Sequence, residues 1–108
     1  MSLTVNLYYK GTNGSARRLA EEMESSGVAA AIRAEEGNLR YDYFIPMSDP
    51  ETVLLIDSWK DQKALDAHHA SPTMRQMAAF REKYDLHMTV ERYVSAEEPE
   101  GEARFIRQ

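Results

Sequence analysis

The chain has 108 residues, 43% of them hydrophobic and 29% charged, which fits one domain with a modest core. Eighteen acidic residues against 13 basic ones give a formal charge of −5, which repels phosphate backbones and speaks against nucleic-acid binding. Cysteine is absent, so disulfides and thiolate chemistry are excluded, and no apolar run approaches the roughly 20 residues of a bilayer span.

The N-terminal MSLTVNLYYKG lacks a basic flank leading into a signal-type apolar segment. The expectation is a cytoplasmic protein with neither membrane nor nucleic acid among its partners.

Leu3 to Lys10 alternates, with Val5, Leu7 and Tyr9 on one side and Thr4, Asn6 and Tyr8 on the other, and reads as a strand. Gly11-Thr12-Asn13-Gly14 is a turn cluster. Ala16, Leu19, Ala20 and Met23 then form the apolar stripe of an amphipathic helix, which Ser25-Ser26-Gly27 interrupts; Val28 to Glu35 is helical again. After Glu36-Gly37-Asn38, Leu39 to Ile45 alternates as a second strand, closed by Pro46, which has no ladder donor. Thr52 to Trp59 is the most strand-like segment, carrying Val53, Leu55, Asp57 and Trp59 on one face and Leu54, Ile56 and Ser58 on the other.

Two helices follow. Asp61 suits the N-cap of the first, and Ser71-Pro72 signals the start of the second, with Ser as cap and Pro at the first helical position. Met74, Met77, Ala78 and Arg81 give the second helix a broad contact face. Leu86 to Val94 alternates as the last strand. Residues 1–95 thus make one domain, and 96–108 an acidic tail whose Phe105 and Ile106 suit docking on a partner subunit.

This order predicts an α+β, ferredoxin-like fold: a four-stranded antiparallel sheet with helices on one face. The uncovered face is also apolar, holding Tyr41, Tyr43, Val53, Leu55 and Trp59 or their opposite-parity neighbours. A second copy is the economical cover, so the expectation is a homodimer whose sheets pack around a shared centre.

The run Gly37-Asn38-Leu39-Arg40-Tyr41, then Asp57-Ser58-Trp59, then Ala64-Leu65-Asp66-Ala67-His68-His69-Ala70-Ser71-Pro72 resembles the antibiotic biosynthesis monooxygenase family, over about residues 3 to 94. That family includes quinol monooxygenases and an autoinducer-2-degrading enzyme. The resemblance implies a dimeric α/β-barrel and oxidation of a small phenolic or quinol molecule by O₂ without cofactor. Many relatives carry Glu where this chain has Asp57. Asn6 matches the haem-pocket Asn of haem-degrading relatives, but their axial His falls near Ala78, which cannot ligate iron.

The expected catalytic set is His68, Trp59, Asn6 and Asp57, with Tyr41, Tyr43, Leu55, Met74 and Met77 binding substrate, and neither cofactor nor metal. Each has a plainer alternative. Trp59 is a core ring or a cavity wall. His68 caps its helix or takes a proton from a phenol or enediol. Asp57, a costly charge amid apolar neighbours, belongs to an ion pair with Arg40, Arg92, a tyrosine or the partner, or to catalysis. Asn6 binds substrate or faces a subunit seam, and the tyrosines and methionines are walls or core. His68 and His69 diverge by about 100° on a helix and so do not chelate one ion together. The remaining functional alternatives are isomerisation of a small hydroxycarbonyl, in which Arg40 or Arg92 would hold an anionic group, and non-catalytic binding of a small molecule.

Overall fold

The computed structural model describes residues 1–107; Gln108, the last residue of the expected tail, lies outside it. The elements run β1 (Leu3–Lys10), α1 (Ser15–Ser25), α2 (Val28–Arg33), β2 (Asn38–Phe44), β3 (Thr52–Trp59), α3 (Gln62–His69), α4 (Pro72–Lys83) and β4 (His87–Val94), followed by a 3₁₀ turn, Glu102–Phe105. All strand pairs are antiparallel, and the sheet order is β2-β3-β1-β4. The ferredoxin-like arrangement is as the period-two segments predict.

The barrel is not. β2 and β4 are free edges and the sheet is open, so the expected α/β-barrel is corrected to an open four-stranded sheet. Alternation specifies which residues share a face. Closure requires the outer strands to meet, and here they pair only inward.

Period two decides which side is covered. Val5, Leu7 and Tyr9 of β1 lie beside Val53, Leu55, Asp57 and Trp59 of β3 and Tyr41 of β2, all buried. Leu19, Met23, Ile32 and Leu65 of the helices are buried in the same core. Of the two parities open for the uncovered face, Tyr41, Val53, Leu55 and Trp59 therefore belong to the covered side. The open face carries their opposite-parity neighbours, among them Thr4, Asn6, Tyr8, Leu54, Ile56, Phe44 and Tyr93.

Two junctions set the register of the site. Gly37 has φ +82°, and a Cβ there would sit 2.6 Å from Cβ of Ala64, so the turn into β2 presses on α3 and admits no side chain. Its carbonyl accepts from Lys60 N–H at 2.8 Å, tying the start of β2 to the end of β3. Asp61 then caps α3, its carboxylate accepting from Ala64 N–H at 2.8 Å.

Ser71 precedes α4 in extended conformation with Pro72 at the first position, as its dipeptide predicts. Its hydroxyl does not cap that helix. It donates back to the His68 carbonyl at 2.7 Å and meets Thr73 Oγ1 at 2.7 Å, locking the α3–α4 corner. α4 rests on α1, α2 and α3, while β4 is exposed along its whole length. A gap therefore remains between α4 and the β1–β4 side of the sheet.

Candidate active site

That gap is a cavity of about 200 Å³, walled by Leu7 and Leu55 of the sheet, Met74 and Met77 of α4, and Met88 and Val90 of β4, with Asp57 and His68 among its polar groups. Such a volume lies below the ~300–1,000 Å³ of typical drug-sized sites, so it suits a compact molecule of about one ring. Met88 and Val90 are exposed, so the cavity reaches solvent past the β4 edge.

His68 projects from the last turn of α3 and is 2% exposed. Its Nδ1 lies 2.9 Å from Glu35 Oε1, while Glu35 Oε2 accepts from Thr73 Oγ1 at 2.8 Å. An ionised carboxylate only accepts, so Nδ1 donates to Glu35, and in the neutral ring the lone pair sits on Nε2. Among the described residues Nε2 makes no hydrogen bond, yet Asn6 Oδ1 alone is both buried and without a partner; Nε2 is thus accessible. Trp59 fixes the ring from behind, stacked at 4.7 Å between centroids and 25° between planes.

Trp59 also spends its indole N–H on Asp57, Nε1 donating to Oδ1 at 2.7 Å. Within the chain this is the partner of the buried carboxylate, in place of the expected Arg40, Arg92 or tyrosine. Burial pushes the Asp57 carboxyl up to about 6, against the opposing pull of His68 and of the indole donor. Two carboxylates, Asp57 and Glu35, thus flank one imidazole. His69 also lines the cavity, and its imidazole is held below its ordinary value, first by burial and then by the neighbouring His68.

The expected residues divide into three groups. His68, Asp57, Leu55, Met74 and Met77 meet at the cavity, and Trp59 supports His68 from outside its wall. Tyr41 and Tyr43 lie deeper along the sheet, their hydroxyls 2.9 Å apart. Tyr41 Oη also donates to Met77 Sδ at 3.5 Å, as Tyr9 Oη does at 3.8 Å. Burial raises all three phenols, Tyr9 to about 12, which keeps them protonated. Tyr43 borders a separate surface depression between α1 and β2.

Asn6 lies apart from this cavity. It is opposite Ile56 in the ladder, on the open face, and the sheet separates it from His68. Its neighbours Val5 and Leu7 point to the helices, and period two turns Asn6 away.

Glu35 and Thr73 join the site without a signal of their own in the sequence. Glu35 follows α2 and stands 33 residues from His68, so no local spacing connects them. Thr73, two residues beyond the Ser71 signal, was the closer clue. Among the described residues no group of three or more His, Cys, Asp or Glu is placed to hold a metal ion.

Residues 2–79 match the family model described as antibiotic biosynthesis monooxygenase. The chain belongs to that family. It is also 35% identical over 46 residues to the "Putative monooxygenase YcnE" of Bacillus subtilis (strain 168), a match covering 43% of this chain and 48% of that protein. The chain thus spans about half the length of the curated relative it matches. Among solved structures it is similar to PA3566 from Pseudomonas aeruginosa, at 24% identity and TM-score 0.75, covering 89% of this chain and 95% of that one. Rv0793 from Mycobacterium tuberculosis is similar at 19% identity and TM-score 0.72, with 91% and 98% covered. These two likenesses establish the fold. Membership places the chain in a family associated with oxidoreductase chemistry, and no helix of the described residues is long and apolar enough to cross a membrane.

Proposed function

We propose that this protein is a cofactor-independent monooxygenase that oxidises a compact phenolic or quinol molecule with O₂, His68 acting as the base. The observation that carries this reading is the clamp on His68. Glu35 holds Nδ1 at 2.9 Å and Trp59 stacks on the ring, so Nε2 is left as the accessible acceptor in a cavity walled largely by Leu, Val and Met.

In this reading Nε2 takes the phenolic proton, and the Glu35 carboxylate stabilises the imidazolium. The phenolate passes one electron to O₂, and superoxide joins the ring radical to form a C–O bond. The O–O bond then breaks as the ring C–H proton is lost. Hydroxide leaves with the proton that His68 returns, so phenol plus O₂ gives quinone plus water. The apolar walls of Leu7, Leu55, Met74 and Met77 keep the anion from bulk water, and Leu55, Met74 and Met77 hold the ring. Asp57, fixed by Trp59, repels the phenolate unless protonated, and so favours passing the electron on.

Oxygen uptake against a panel of phenols and quinols tests this. Uptake matched one to one by quinone is expected, with His68→Ala lower by about 10²-fold or more, the usual scale of a lost general base. Unchanged uptake in that variant would remove His68 from its role. Product formed equally well without O₂ would turn the reading to isomerisation of a hydroxycarbonyl, and ligand binding without turnover to a binding protein.

The homodimer belongs to the same proposal. Asn6 Oδ1 is buried without a donor on an open face that also carries Leu54, Ile56 and Tyr93. A second copy supplies cover for these side chains. The domain of residues 1–95 carries the site, and the following tail, with Phe105 and Ile106 exposed, docks on the neighbour.

A further inference from the structure

Two arginines stand at the same cavity with no carboxylate in ion-pair range. Arg92 on β4 is opposite Val5 in the ladder and so shares the helix-covered side with Met88 and Val90; Arg81 reaches the cavity from α4. Arg92 Nη2 donates to Gln62 Oε1 at 2.7 Å, and Arg81 Nη1 approaches Met88 Sδ at 3.6 Å, a weak acceptor. Among the described residues neither lies within ion-pair distance of Asp or Glu, so both guanidiniums keep donors for a ligand. Two cations free of ion pairs thus line one small cavity, in a chain with five more acidic than basic side chains.

The cavity is graded. His68 and Asp57 are its buried polar groups, Arg81 is half-buried and Arg92 is exposed. A molecule that presents a hydroxyl to His68 therefore leaves its opposite end beside two guanidiniums, each a fork of donors suited to a planar or tetrahedral oxyanion. The buried end, with its carboxylates, repels the same anion, so the charge pattern also fixes which way the ligand enters.

We infer that the substrate is a hydroxyarene carrying one anionic substituent, a carboxylate or a phosphate, which Arg81 and Arg92 hold at the outer end of the cavity. This deepens the proposed function, since it relies on the hydroxyl end meeting His68, but its test is binding and needs no turnover.

The probes are 2,5-dihydroxybenzoate, its methyl ester and hydroquinone, with affinities measured by calorimetry on the full chain. The acid is expected to bind at least tenfold more tightly than either neutral compound, and to weaken with added salt while they do not. Arg92→Gln and Arg81→Gln should each erase most of that preference and leave hydroquinone affinity unchanged, which a merely structural role would not do. Arg92→Lys should retain part of it. 4-Hydroxyphenyl phosphate in place of the acid ranks the two anion types. Equal affinity for acid and ester, or no measurable binding of the acid, overturns the inference. Preference for the acid without oxygen uptake leaves the anion site standing and refutes the oxidation; uptake without preference does the reverse.

Discussion

The Asp57 carboxyl is held among apolar side chains by a single indole donor, and burial raises it from 3.8 to about 6. Between these values the folded protein keeps a proton that the unfolded chain has released. Stability from this group is therefore greatest below about pH 4 and falls as pH rises to about 6, by roughly 3 kcal/mol. Asp57→Asn keeps an acceptor for Trp59 and should abolish that slope. Urea melts of both proteins from pH 4 to 7 should show the variant gaining on the parent as pH rises. A stability difference that does not change with pH would contradict the raised carboxyl. At Glu35 the replacement by Gln keeps an acceptor for Nδ1 but removes the charge that stabilises imidazolium. Turnover should fall by about tenfold or more while the fold persists; unchanged turnover would reduce Glu35 to a structural partner.

Among the elements, the contact of the β2 turn with α3 is the least forgiving. Gly37→Ala adds a Cβ 2.6 Å from Ala64 at φ +82°, so it should cost about 1–3 kcal/mol in denaturant melts. A variant as stable as the parent would show that α3 gives way freely. The elements themselves were legible because their periods are clean, as in Thr52–Trp59, where Asp57 shares the buried parity with Leu55 and Trp59. Asn6 was legible by the same rule: with Val5 and Leu7 inward, it faces outward. The covered face of the sheet was less legible, since both parities of β3 are apolar. Glu35 was beyond reach, because its bond to His68 joins two corners that only the packed α2 and α4 bring together. The Ser71-Pro72 pair announced a helix start correctly, but not that the hydroxyl would fold back on His68.

At the scale of the molecule, the patterns predicted the four antiparallel strands, but the expected barrel does not form, since closure depends on whether the edge strands meet. The open face gives the homodimer its test. Ile56→Lys places a charge beside Asn6 and opposite the helix core, so it should shift the mass measured by light scattering from two copies toward one without unfolding the chain. A parent protein that is monomeric at micromolar concentration would sink the dimer, and a chain ended at Ser95 weighs the tail in the same measurement.

Helices cover three of the four strands and stop short of the last. A visitor to His68 can therefore slip in along the flank of the sheet, with no helix required to swing aside. Traffic should then be throttled by whatever side chain stands at that threshold. A bulky ring at Val90 ought to slow both arrival and departure in stopped-flow traces and disturb equilibrium affinity much less; rates that ignore it would mean the doorway lies elsewhere.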